Sequence, residues 1–139
     1  ANMRVDTLTG TATQAHYADL AECYAADADY APGTVVHFGG SHEVSLCDMD
    51  GCKSVAGVVT SNPAYLMNNG LEADHRCDVA LVGRVPCKVI GSVKKGDMMV
   101  SAGNGAARAE EDPKMGQVIG KALEDHEGEG TIEVVVGRM

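Results

Sequence analysis

The chain has no tryptophan, one phenylalanine and four tyrosines among 139 residues. Aromatic rings bring the largest apolar area per side chain. An interior of Val, Ala, Met and Leu gains less per residue, at about 25 cal/mol per Å² buried. The shortage therefore predicts a chain that leans on a partner subunit, and a homo-oligomer is the expectation. It also counts against a sugar-binding surface built on stacked rings. Positive charge is scarce as well: 11 Lys and Arg face 20 Asp and Glu, a formal charge of −9. That balance excludes sequence-independent nucleic-acid binding, which needs a basic surface to displace counterions. It excludes docking on anionic lipid for the same reason.

Long apolar runs are missing too. None approaches the roughly 18 residues of a membrane-spanning helix, so no membrane insertion is expected. Residues 1–10 are polar and lack the apolar stretch of a signal peptide. Ala1 in place of Met reads as a trimmed initiator or a piece of something longer. Five cysteines stand at positions 23, 47, 52, 77 and 87. An odd count in a chain of this length points to reduced thiols in a cytosol-assembled protein, used as small core residues.

What is present reads as strands and turns in one domain. Residues 1–13 are Thr-rich and form an extended lead-in; residues 14–139 form a single β-rich body. Gln14 to Tyr24 is the one segment with helical spacing. Tyr17, Leu20, Ala21, Cys23 and Tyr24 would make its buried stripe. Thr34–Phe38, Glu43–Cys47 and Ser54–Thr60 read as strands, and Ser54–Thr60 is apolar enough to be buried on both faces. Asp48-Met49-Asp50-Gly51 is a tight turn. Ala64–Asn69 reads as irregular or as one helical turn, and residues 70–76 as a polar loop. Val79–Ile90 is strand material with a bend or edge marked by Gly83-Arg84 and Pro86. Asp97–Ser101, Gln117–Leu123 and Thr131–Gly137 complete the set. Leu20, Val35, Val58, Val59, Ile119, Val134 and Val136 are the expected core or subunit contacts.

An internal duplication underlies this order. The Gly33 turn and its strand resemble the Gly96 turn and its strand, and the block around Gly57 resembles that around Gly120. Both matches have an offset of 63 residues. Val82-Gly83-Arg84 and Val136-Gly137-Arg138 close the two halves. Pseudo-repeats over about 31–84 and 94–138 are the reading, each holding a Gly where two backbones approach. The fold class expected is mainly β: a compact sandwich or barrel-like domain of two β units behind a short N-terminal helix, assembled as a homotrimer.

Asp19 and Glu22, at i and i+3, would share one face of that helix. Close carboxylates can share a proton, one acting as acid and the other as base. The plain alternative is a solvated acidic face near a helix start. Cys47 and Cys52 with Asp48 and Asp50 lack the spacing of a zinc knuckle or the full acid set of a calcium loop, so no metal is expected. His37 and His42 flank Gly39-Gly40 and approach each other across a hairpin. No cofactor motif is found.

Ala18-Asp19-Leu20-Ala21-Glu22 resembles the Ala-Asp-Tyr-Ala-Glu signature of C-terminal domains of phage tail-fibre and neck-appendage proteins. The likeness continues in order through Pro32-Gly33-Thr-Val-Val, residues 55–63, residues 80–86, residues 93–100, residues 118–124 and residues 130–137. This is the peptidase G2 type, an intramolecular-chaperone autocleavage domain, in a form similar to cyanobacterial phage fibres. The resemblance implies a trimeric β-rich domain in a virion, with other tail or fibre proteins and a host surface receptor as partners. It implies, as an alternative, self-cleavage at Ala18-Asp19 by Asp19 and Glu22. Ala18 stands where a hydroxyl nucleophile would be needed, so a retained structural domain is favoured. A host-glycan-binding adhesin is a second alternative.

Overall fold

The computed structural model describes residues 19–137. The lead-in and residues 14–18 of the expected helix lie outside that range. The strands are β1 (Asp19–Ala25), β2 (Val35–His37), β3 (Ser45–Leu46), β4 (Val55–Val59), β5 (Tyr65–Met67), β6 (Arg76–Val89), β7 (Met98–Gly103), β8 (Ala106–Ala109), β9 (Gly120–Ala122) and β10 (Gly130–Val136). Among the described residues there is no helix.

Asp19 to Tyr24, expected to be helical, is strand β1. It pairs antiparallel with β6 from Asp19–Gly83 to Ala25–Arg76, and parallel with β5 from Leu20–Tyr65 to Glu22–Met67. A short isolated helix is marginal in water, and backbone partners on both edges outweigh its weak local preference. Burial accordingly alternates with period two: Ala21 and Cys23 are buried, Leu20 and Glu22 half-buried. The same pairing draws Tyr65–Met67 out as β5, where an irregular stretch or one helical turn was expected.

β6 is 14 residues long and organises the molecule. Its second half closes a five-stranded barrel in the order β6–β10–β9–β7–β8, completed by the parallel pair Val89–Ala107. Its first half joins β1, β4, β2 and β3 in a second circuit, completed by the parallel bridge Ala26–Val44. Pro86 does not interrupt β6. Lys88 N–H, two residues on, bonds Gly33 O at 2.9 Å, away from β10. The N–H that Pro86 lacks would face that same side, so the β10 ladder loses nothing.

The two circuits repeat with a fixed spacing. Val36 pairs with Leu46 and Gly57; Met99 pairs with Ala109 and Gly120, each 63 residues further on. The closing pairs Ala26–Val44 and Val89–Ala107 keep that spacing. So do the bonds Gly33 N–H to Val59 O and Gly96 N–H to Ala122 O, both 2.8 Å. The last strand of each circuit follows at 55, since Val59–Val79 becomes Ala122–Val134. The tripeptides at Val82 and Val136 stand 54 apart and so miss equivalence by one residue. β1 and the second half of β6 are themselves equivalent, so β6 ends one unit and begins the next.

Two apolar clusters fill the structure. Ala26, Val36, Val44, Ala56 and Val59 of the smaller cluster stand 63 residues before Val89, Met99, Ala107, Ile119 and Ala122 of the larger. The strands β2, β4 and β6 separate them. Val35, Val58 and Ala80 face the larger cluster, and Val36, Val59 and Val79 the smaller. β4 is thus buried on both faces, as its composition indicated. Of the expected contacts, Val35, Val58, Val59, Ile119, Val134 and Val136 are buried and Leu20 is half-buried.

Gly57 and Gly120 are the equivalent points of closest approach. A Cβ on Gly57 would sit 2.5 Å from the Ala80 carbonyl oxygen, and one on Gly120 would overlap that of Val135. Both obstacles are backbone and cannot rotate away. Gly120→Ala and Gly57→Ala are each expected to lower the unfolding free energy by about 2–4 kcal/mol. Gly70→Ala, with nothing within 4 Å of its Cβ, should stay within about 0.5 kcal/mol. Urea unfolding of the three variants checks this.

Candidate functional site

The acid pair is the first place to look for chemistry. Asp19 is 3% exposed and borders a cavity of about 90 Å³ lined by Pro32, Thr60, Ser61, Arg84 and Pro86. Glu22 is half-buried and accepts a 3.1 Å hydrogen bond from the Tyr24 hydroxyl. Three residues apart on a strand, the two side chains point to opposite faces. The shared face assumed for a helix is not formed.

The turn from Cys47 to Cys52 holds a connected polar network. It leaves β3 in the first circuit and lies against β7 of the second. The bridge Asp50–Ala102 and a 2.8 Å bond from Gly51 N–H to Ser101 O fasten it there. The Ser101 hydroxyl, fully buried, accepts from Cys52 N–H at 2.7 Å and donates to Met49 O at 2.7 Å. The acids of the turn serve this join. Asp48 Oδ1 accepts from Asn104 N–H at 3.1 Å. Asp50 takes a two-pronged guanidinium contact, Arg108 Nε to Oδ1 at 2.7 Å and Nη2 to Oδ2 at 3.1 Å. Arg108 Nη1 also reaches Glu110 at 2.9 Å. Among the described residues no three His, Cys, Asp or Glu side chains converge to hold a metal ion.

His37 stands at the edge of this network and does not bond His42, which bonds Ser41 instead at 2.9 Å. His37 Nε2 lies 3.1 Å from Ser45 Oγ, and Nδ1 lies 3.2 Å from Ser54 Oγ. Ser45 Oγ spends its one proton on Gly39 O at 3.0 Å. It therefore accepts from His37 Nε2–H, which leaves Nδ1 as the bare nitrogen. Cys52 Sγ lies 3.9 Å from that nitrogen and 3.1 Å from Ser54 Oγ. No spacing motif announces this group. The register His37–Ser45 and His37–Val55 brings it together.

No family model matches the chain, and no curated protein matches it. Among solved structures, the chain is similar to the head fibre gp8.5 N base of bacteriophage phi29 at 15% identity. The match covers 83% of this chain and 91% of that one, with a TM-score of 0.49. A likeness at that level leaves function to be argued from the residues themselves.

All five cysteines are unbridged and buried. Burial pushes the thiols of Cys23 and Cys47 up, that of Cys77 to about 11 and that of Cys87 to about 12. Cys23, Cys77 and Cys87, buried away from any proton acceptor of the His37 kind, have the character of structural core thiols.

The Arg108 guanidinium holds the carboxyls of Asp50 and Glu110 below their ordinary range. A depressed carboxylate contributes stability above its unfolded pKa and loses it as pH falls through the folded value. Native stability should therefore decline as pH drops below about 4. Asp50→Asn, which cannot gain that proton, should show a shallower decline in urea midpoint between about pH 5 and about pH 3.

Proposed function

We propose that this chain is a virion structural protein, the trimerising domain of a phage tail fibre or related appendage. The observation that carries the reading is the ordered run of sequence blocks shared in type with such domains. The blocks from Pro32 onward coincide with strands or their turns in the two circuits. Pro32-Gly33 opens β2, residues 55–63 hold β4, residues 80–86 cross the middle of β6, and residues 130–137 hold β10. Its partners are then other copies of itself, other tail or fibre proteins and a host surface receptor, and its place is the virion.

The chain encloses its own apolar interior, so association has to rest on what it leaves outside. Tyr65, Leu20 and Val82 follow one another across β5, β1 and β6. Val135 pairs with Arg84, two residues along the same face of β6 from Val82. Tyr65 is 64%, Val82 54% and Val135 42% exposed. A row of that kind along a sheet is the surface through which copies would meet.

Light scattering of the full chain is expected to return three chain masses. Val82→Asp combined with Val135→Asp should return one, with the far-ultraviolet circular dichroism unchanged. A native protein that runs as one chain mass overturns the reading.

Asp19, buried beside Thr60 and Ser61, favours self-cleavage as the second reading. A protein extended at its N-terminus would then release a fragment starting at Asp19, and Asp19→Ala would not. An intact band over days leaves the structural role.

A further inference from the structure

We propose that Cys47 and Cys52 close a disulfide on exposure to a hydroperoxide, with Cys52 as the attacking thiol and His37 as the acceptor of its proton. Cys52 is 5% exposed and Cys47 fully buried behind it. The first thiol meets the oxidant and the second resolves the product from inside. Both belong to one buried cluster, and Cys47 Sγ lies 3.7 Å from the Met49 carbonyl oxygen in the turn between them. Ser101 Oγ fixes that turn, accepting from Cys52 N–H and donating to the same Met49 carbonyl that Cys47 Sγ approaches. The four intervening residues are held as a turn against β7, so the two thiols stand at the ends of one short, fixed segment.

The proton has a path. Cys52 Sγ to Ser54 Oγ is 3.1 Å, and Ser54 Oγ to His37 Nδ1 is 3.2 Å. Nδ1 is the bare nitrogen because Nε2–H is engaged by Ser45. The thiol proton passes to Ser54 Oγ as the Ser54 proton passes to Nδ1, leaving a thiolate. The thiolate sulfur attacks one peroxide oxygen. The O–O bond breaks, Cys52 becomes a sulfenic acid, and the departing oxygen takes the proton from His37. The Cys47 sulfur then attacks the Cys52 sulfur. The S–O bond breaks, and hydroxide leaves as water with the Cys47 proton. Two thiols are oxidised by one peroxide, which ends as an alcohol, or water for hydrogen peroxide, plus one water.

The other neighbouring thiols have no such arrangement. Cys23 pairs with Asp78 and Cys77 with Tyr24, so their side chains leave the β1–β6 ladder on opposite faces. Cys87 is fully buried, and its thiol donates to the Lys88 carbonyl oxygen at 3.4 Å.

The test treats the reduced full-length protein with hydrogen peroxide, alkylates it and maps the peptides by mass spectrometry. A single Cys47–Cys52 disulfide is expected, with Cys23, Cys77 and Cys87 recovered as free thiols. Cys47→Ser should accumulate a sulfenic acid at Cys52 that dimedone traps. Cys52→Ser should leave Cys47 reduced over the same time. His37→Gln and Ser54→Ala, shown folded by circular dichroism, should each slow the first step at least about tenfold. The proposal is overturned if Cys52 oxidises no faster than the three other thiols, or pairs with one of them. It is equally overturned if both relay variants react at the native rate.

Discussion

Strand β6 has to satisfy two rings at once, and the other elements are placed by that demand. A strand inside a closed ring needs a hydrogen-bonded neighbour on each edge, since an unpaired buried N–H or C=O costs about as much as a lost bond. β6 meets this by changing partners along its length. Arg76 to Gly83 lies against β1, with β4 on the other edge; Gly83 to Val89 lies against β10, with β8 and the Gly33 turn opposite. The exchange happens at Gly83, the shared partner of Asp19 and Val136. Just before it, the β1 register shifts between Leu20 and Ala21. A shift of this kind sharpens the local twist and re-aims the strand, which is what passing from one ring to the next requires.

The same constraint explains the missing aromatics. Barrel width grows with strand number, and about eight strands already leave an interior that side chains just fill. Five strands enclose less. Val, Ala, Cys, Ile and one buried Met fill the two clusters, and the equivalent positions are aliphatic or Met, never aromatic: Val36 and Met99, Val44 and Ala107, Val59 and Ala122. Among the described residues, Tyr24 and Tyr30 pack against the smaller cluster while only partly buried. Tyr24 and Phe38 pack edge to face with centroids 5.4 Å apart, and Tyr65 is exposed. A poverty that composition alone presents as a need for a partner is thus, in the fold, a consequence of narrow rings. Association then becomes a question of surface.

Much of the fold was legible because its strands advertise themselves. Val-rich runs such as Val55–Val59 and Thr131–Val136 have no competing helical period, and the equal offset of Gly33 with Gly96 and Gly57 with Gly120 is readable because backbone approach permits no side chain at Gly57 and Gly120. What was not legible has specific causes. Asp19–Ala25 carries spacings compatible with either period, and only pairing with β6 and β5 decides between them. β5 is three residues with no alternation to read, and its existence depends on β1. β6 was seen as strand, but its double membership is a property of topology. The repeat therefore seemed to begin near residue 31, where the registers carry it back into β1.

The site shows the same division more sharply. Asp19 and Glu22 drew notice because a helical period would join them; once the segment is a strand, alternation parts them. His37 and Cys52 stood out only beside other partners, His42 and Cys47, because His37, Cys52 and Ser54, at spacings of 15 and 2, form no motif in one dimension. Antiparallel pairing of β2 with β3 and β4 folds that distance away, and the turn across Ser101 completes it. The tautomer of His37 then follows from a neighbour's neighbour: Gly39 O takes the Ser45 proton, so Ser45 must accept from Nε2, so Nδ1 faces the thiol bare. Sequence reading finds chemistry that lies along one element. Chemistry assembled by register has to be read from the hydrogen bonds, one donor at a time.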